Sequence, residues 1–282
     1  MFANVDMARR IDTGEARLCA EIAEAVGARR PNERVLIEEI AGGLAVFSGT
    51  DSPVNKMVGV GFGCGLDESR LEVIERAFAE RDARLQAEVS TLAEPEVHAT
   101  LTRRGYILQG FEHELGRPLT LLDADPPPVA GIQIEPMSGE DLARWTDVVV
   151  TAFEHPDAEG VIGDQAPPRD VLERVIADMS AMRSLRRYVA RLDGEIAGGA
   201  SLRIDGRIAQ LCGSATLPRF RRRGIQSALL RARLADAFGE GCDVAIVTTA
   251  PGSKSQKNVQ RQGFVLLYAR ALLVKSPGDR RP

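Results

Sequence analysis

The stretch Leu217–Leu230, LPRFRRRGIQSALL, sets four arginines (Arg219, Arg221, Arg222 and Arg223) within five residues and closes the run with Gly224. Ile225, Ala228, Leu229, Ala232 and Ala235 follow at steps of three and four, the spacing of one helix face. A basic loop therefore feeds a helix N-terminus. The first turn of a helix leaves four backbone N–H groups without intrahelical partners, and its dipole places about half a positive charge there. Glycine takes dihedrals that a side chain forbids, consecutive amides form an anion-binding nest, and arginine supplies forked donors that match phosphate. The pattern predicts a phosphate site. The plainer readings are a solvated basic loop or a nucleic-acid patch, and the sequence around the run has to discriminate between them.

Composition narrows the choice. A chain of 282 residues, 44% hydrophobic, suits two domains of ordinary size. The net charge is -4 and the sequence pI about 5.6, which argues against a general nucleic-acid binder, since polyanions need an extended basic surface. One tryptophan and three tyrosines offer little for base stacking. The basic run is local, so its target should be small. No apolar run approaches the roughly 18 residues of a membrane span, and MFANVDMARRID lacks the apolar centre of a signal peptide. The expectation is a soluble, cytoplasmic protein with no membrane partner. Cys19, Cys64, Cys212 and Cys242 are scattered, with no CxxC, and His98, His113 and His155 form no HExxH. Buried free thiols and no metal site are expected.

Along the chain, Leu121–Gly131 (LLDADPPPVAG) carries three consecutive prolines, and a linker is placed at 121–130 between domains 1–120 and 131–282. After it the order is regular. A strand (GIQIEPM) leads to helices over Gly139–Phe153 and Arg169–Met182. Three strands follow, joined at Asp193-Gly194 and Asp205-Gly206, dipeptides that favour tight hairpins. Then come the basic loop, a helix over Ile225–Phe238, the strand DVAIVTT, a short helix over Ser253–Gln262, and GFVLLYARALLVK as a final pair of strands. The class is α+β with mixed sheets.

That order, with the basic loop at the head of the third helix, resembles the GCN5-related N-acetyltransferase (GNAT) family. The family's acetyl-CoA signature is Arg or Gln, two residues, Gly, one residue, then Gly or Ala. Arg221-Arg222-Arg223-Gly224-Ile225-Gln226 matches it except at Gln226. The resemblance runs over Gly131–Lys275 and includes Thr216-Leu217-Pro218 before the loop and the span from Asn258 to Gly263-Phe264. It implies acetyl-CoA as cofactor. The expected binding residues are Ser214, Ala215 and Thr216 on the preceding strand, Arg221, Arg222, Arg223, Gly224, Ile225, Gln226 and Ser227 around the loop, and Ser255 and Asn258 on the short helix.

The first half repeats the pattern faintly. Gly105-Tyr106-Ile107-Leu108 parallels Gly263-Phe264-Val265-Leu266, and the same offset of 158 aligns LQAEVST with DVAIVTT without a gap. Where the second half has arginines, the first has GFGCGLDESRLEV, with Asp67 and Glu68 at the helix start. These suit N-capping and would repel a pyrophosphate. The expectation is a tandem of two GNAT-like mixed-sheet domains, the first degenerate and lacking the acetyl-CoA loop.

The resemblance implies direct acetyl transfer to an amine of a small molecule or peptide. Such a reaction needs a base for an ammonium of pKa near 10 and an acid for the leaving thiolate. The family's usual glutamate on the fourth strand has no counterpart here, since Arg207–Pro218 holds no carboxylate, and its tyrosine position is Val259. Glu154, His155 and Asp157 are candidate bases in the loop after the first helix, where the family's acceptor pocket lies. Tyr268 or Ser255 could relay the thiolate's proton. The alternative is a non-catalytic acyl-CoA sensor. Neither the acceptor nor the oligomeric state is legible.

Overall fold

The computed structural model describes residues 1–155 and 168–278. Contacts divide the chain into two units: Glu114–Leu266 together with Met1, and Phe2–His113 together with Leu267–Pro282.

The first-half unit opens with a long helix, α1 (Val5–Arg29), capped by the Asn4 side chain on the Met7 N–H. Its apolar stripe, including Ile11, Cys19, Ile22 and Val26, is buried. Strands β1 (Leu36–Ile40), β2 (Gly43–Phe47) and β3 (Lys56–Val58) precede α2 (Glu68–Ala79), β4 (Leu85–Ser90) and α3 (Pro95–Arg103). β1 and β3 flank β2 antiparallel, and β4 lies parallel to β3. The next strand, β5 (Ile107–Pro118), begins in this unit and ends in the other.

In the second unit the residues 114–118 of β5 are followed by β6 (Ile132–Pro136), α4 (Leu142–Glu154), α5 (Arg169–Met179), β7 (Leu185–Leu192), β8 (Glu195–Asp205), β9 (Ile208–Gln210), β10 (Ser214–Thr216), α6 (Ile225–Gly239), β11 (Val244–Thr249) and α7 (Lys254–Gln260). The sheet runs β6–β7–β8–β9–β11–β5, with β10 also on β8. The order matches the expected one. Asp193 and Gly194 take φ of 53° and 83°, as a two-residue hairpin turn demands.

Two glycines in β8 make room for what matters later. A Cβ on Gly199 would lie 2.3 Å from Trp145 Nε1, and one on Gly198 would lie 2.6 Å from the Ala215 carbonyl. α4 and β10 can approach β8 because those side chains are missing.

Three expectations change. The proline segment 121–130 is not the boundary: it lies inside the second unit, which begins at Glu114. The final segment is one strand, β12 (Val265–Lys275), not two. Its residues from 267 onward belong to the first-half unit, where Arg270–Lys275 pair antiparallel with Ser90–Leu85 of β4. Each half thus gives the end of its last strand to the other half's sheet. Composition hides this, because an apolar strand reads the same whichever sheet receives it.

The repeat at 158 positions extends to hydrogen bonds. Tyr106 N donates to Leu101 O and Phe264 N to Val259 O, at 3.0 and 3.2 Å. Gly105 and Gly263 both have φ of +87°, the left-handed residue that ends α3 and α7.

Candidate active site

The site starts where two strands part. β9 is held on both edges, antiparallel to β8 and parallel to β11, with a last bond from Leu211 N to the Ile246 carbonyl at 2.9 Å. Beyond it the backbone kinks. Ser201 N reaches both the Cys212 and the Gly213 carbonyls, at 3.0 and 3.1 Å, and Gly213 takes φ of +33°. β10 then continues on β8 alone. Its other edge has left β11, and a cleft of about 620 Å³ opens there, within the size range of small-molecule sites.

The basic loop closes one end of this cleft. Pro218–Phe220 make one 3-10 turn, Arg222 takes φ of +63°, and Gly224 takes φ of +86° as the N-cap of α6. Glycine is required there by conformation. A Cβ would point at Val129 and Ile132, 3.6 and 3.8 Å away, and neither residue lines the cleft. No side chain caps α6, so its first-turn amides are left to face the cleft, which Ile225, Gln226 and Ser227 line. In the first-half unit the equivalent α2 is capped by its own Asp67, whose Oδ1 accepts from Ser69 N at 2.9 Å and Arg70 N at 3.3 Å. A bond from the Ser69 hydroxyl, together with these two, holds the Asp67 carboxyl below its ordinary pKa.

The four arginines divide their work. Arg219 pairs with Glu195 at 3.0 Å and lies over the Phe220 ring. Arg223 pairs with Asp193 at 3.5 Å and does not line the cleft. Arg221 lines it, but its guanidinium donates to the carbonyls of Thr216, Ala152 and His155, fastening the loop to β10 and to the end of α4. Arg222 alone is exposed on the cleft with no hydrogen bond or ion pair to another described residue. Of the three arginines expected at the phosphate, Arg221 and Arg222 line the cleft, and Arg221 and Arg223 are held by carbonyls and a carboxylate of the loop's neighbours.

Gln226, the departure from the signature, has work of its own. It accepts from Ser214 Oγ at 2.6 Å and donates to Thr216 Oγ1 at 2.9 Å, tying the first turn of α6 to β10. Ser214, Ala215, Thr216, Ser255 and Asn258 all line the cleft.

The catalytic candidates fare differently. Tyr268 lies in the other unit, where its hydroxyl donates to Asp12 at 2.5 Å, and it does not line the cleft. Glu154 is bound to Arg169 at 2.8 Å, and the His155 ring hydrogen-bonds the Thr151 carbonyl at 2.9 Å. Neither lines the cleft. Asp157 falls outside the described residues. A carboxylate one hydrogen bond behind the cleft wall was missed: Glu114, buried on β5, accepts from Thr248 Oγ1 at 2.8 Å, and Thr248 lines the cleft from β11. It stands before residue 121, in a segment assigned by sequence to the first domain. Cys64 is exposed, correcting the expectation of buried thiols, while Cys19 and Cys242 are buried.

The sequence profile of the Acetyltransferase (GNAT) family matches residues 151–264. That span holds every residue that lines the cleft, and Glu114, behind Thr248, lies outside it. Over residues 151–264 the chain is thus similar to the GNAT family. Solved structures with the same fold include a GCN5-related N-acetyltransferase from Kribbella flavida, at TM-score 0.64 and 20% identity over 93% of this chain and 95% of that one. A tandem GNAT protein from the clavulanic acid biosynthesis pathway aligns at TM-score 0.62 and 14% identity, over 92% of this chain and 89% of that one. A GCN5-related N-acetyltransferase from Sphaerobacter thermophilus aligns at TM-score 0.54 and 18% identity, over 76% and 67%. At these identities the likeness is one of fold, and the fold is the tandem GNAT arrangement. No curated protein sequence matches significantly. Among the described residues no helix is long and apolar enough to cross a membrane, and no three His, Cys, Asp or Glu side chains are grouped to hold a metal.

Proposed function

We propose that the second unit is an acetyl-CoA-dependent N-acetyltransferase acting on an amine of a small molecule or peptide. The observation that supports it is the uncapped N-terminus of α6, with Arg222 beside it, opening onto a cleft that begins where β10 leaves β11. A pyrophosphate fits amides and one cation so placed. The unpaired edge of β10 offers backbone groups to an extended amide-bearing arm and a donor for the carbonyl oxygen under attack.

Acetyl-CoA would supply the acyl carbonyl and a thiolate leaving group. The chain has to orient the amine, accept its proton and return one to sulfur. Thr248 and the Glu114 carboxylate that holds it are the pair we assign to accepting the amine's proton, which passes from the amine to the hydroxyl oxygen as the hydroxyl proton moves to Glu114. Ser255 on α7 is assigned to the sulfur. The test is thiol release from acetyl-CoA across a panel of amines. Transfer with some amine supports the enzyme, whereas CoA binding with no transfer to any amine supports a sensor. In the enzyme, Glu114→Gln should lower kcat at least tenfold and flatten its pH profile while leaving CoA affinity unchanged.

A further inference from the structure

The same cleft is lined by a buried cation that no carboxylate among the described residues neutralises. Four cationic side chains in the described residues are buried: Lys56, Arg203, Arg233 and Arg270. Lys56 meets Glu88 at 3.0 Å, Arg270 meets Asp12 at 2.7 Å and Arg203 meets Asp205 at 3.6 Å. Arg233, only 3% exposed, has no carboxylate within ion-pair distance among the described residues. Its Nε donates to the Leu229 carbonyl at 3.2 Å and its Nη1 to the Ser201 carbonyl at 3.0 Å. Nη2 makes no hydrogen bond to a described residue. The nearest acid along α6, Asp236, is engaged by the Tyr188 hydroxyl at 2.6 Å. Arg233 lines the cleft and the other three buried cations do not.

A buried cation normally keeps a paired anion, because leaving it alone in a low-dielectric site is costly. Burial pulls the Arg233 pKa down to about 10, so the group is still charged at neutral pH. Its position says what kind of partner is missing. Arg233 is eight residues beyond Ile225, about 12 Å along the helix at 1.5 Å per residue, so it is not part of the phosphate end. Its bond to Ser201 O puts it beside the kink, since the Ser201 N–H is the one that bridges the Cys212 and Gly213 carbonyls. That is the level at which β10 leaves β11. Leu211, Leu230 and Val247 line the same cleft with apolar surface, and Thr248 follows Val247 on β11.

We propose that Arg233 binds a carboxylate of the substrate at the reacting end of the cleft, so that the site selects an anionic acyl group or an anionic acceptor. The proposal rests on the reading of the cleft as an acyl-CoA site and refines it. A planar fork held by two carbonyl acceptors presents its remaining edge in a fixed orientation, which suits a carboxylate. Two sources carry that chemistry: a dicarboxylic acyl thioester, and an amine that bears its own carboxylate.

Calorimetric titration of the intact chain separates them. One arm compares succinyl-CoA with acetyl-CoA and with CoA alone. The other titrates the CoA complex with amino acids and with their carboxamides. The expected result is at least tenfold tighter binding of the carboxylate-bearing member in one arm, and that arm names the source. Arg233→Met should erase the preference. If that variant fails to fold, Arg233→Lys, which keeps the charge and loses the fork, should lower it at least threefold. CoA binding without a carboxylate preference in either arm overturns the proposal and leaves the cofactor site standing. Failure of CoA itself to bind removes both.

Discussion

Replacing Gly224 by alanine tests whether the turn before α6 is held in shape for a ligand. The added Cβ would meet Val129 and Ile132 at 3.6 and 3.8 Å, ordinary contact distances, so crowding contributes nothing. What remains is the backbone: φ is +86°, and a residue with a Cβ pays about 1–2 kcal/mol in the left-handed region. That cost has two places to appear. If the free protein keeps the turn, stability falls, and at about 2–4 °C per kcal/mol for a domain of this size Tm drops by about 2–8 °C. If the turn relaxes, the cost reappears when the anion rebuilds it, and Kd for CoA rises about 5- to 30-fold. Scanning calorimetry and CoA titration on the same variant measure both parts, and their sum should be close to the backbone cost. Gly206→Ala is the control: its φ is +59° in a hairpin turn with nothing within 4 Å, so it should lower Tm alone. If Gly224→Ala keeps Tm within about 1 °C and Kd within about twofold, the turn is neither strained nor used.

The arginines should separate in the same assays. Arg222→Ala should weaken CoA by about 1–2 kcal/mol, more at low salt, and leave Tm alone. Arg221→Ala should lower Tm, because it frees the carbonyls of Thr216, Ala152 and His155. Arg223→Ala, losing an exposed pair, should do little to either. In the first-half unit, burial and the nearby Glu88 raise the Glu112 carboxyl to about 8. A carboxyl raised on folding binds its proton more tightly in the native state, so stability is highest below the ordinary carboxylate pKa and falls as pH rises towards 8. Denaturant titrations of Glu112→Gln should show a flatter dependence between pH 5 and pH 8 than the parent; an identical slope would clear Glu112 of that role. A fragment of residues 130–282 should not fold as a domain, since it lacks the 114–118 strand and the bonds from Arg117 and Leu119 to Gln262 and Asp243. A cooperative melt of that fragment would contradict the division of the units.

The parts of this protein that follow from local chemistry were legible in its sequence. The Asp193-Gly194 turn, the apolar face of α6 and the cap at Asp67 each depend on a few neighbouring residues. What was hidden depends on where a strand goes after it forms. Glu114 and Tyr268 sit on the two strands whose ends change units: the first is brought into the unit that holds the cleft, and the second is carried out of it. The arginine run was read correctly as a loop before a helix, but charge counting could not show that Glu195, Asp193 and three carbonyls take three of its four members. Gln226 looked like a flaw in a motif until its amide was found between Ser214 and Thr216.

The measurement that bears most directly on the acyl-CoA reading is amide NMR of the intact 30.5 kDa chain titrated with CoA. The uncapped end of α6 predicts large shifts at Ile225, Gln226 and Ser227 that saturate at one equivalent, with Ser69 and Arg70 at the start of α2 unmoved because Asp67 already occupies them. Unchanged amides at 225–227, or a second set of shifts at 69–70, would contradict it.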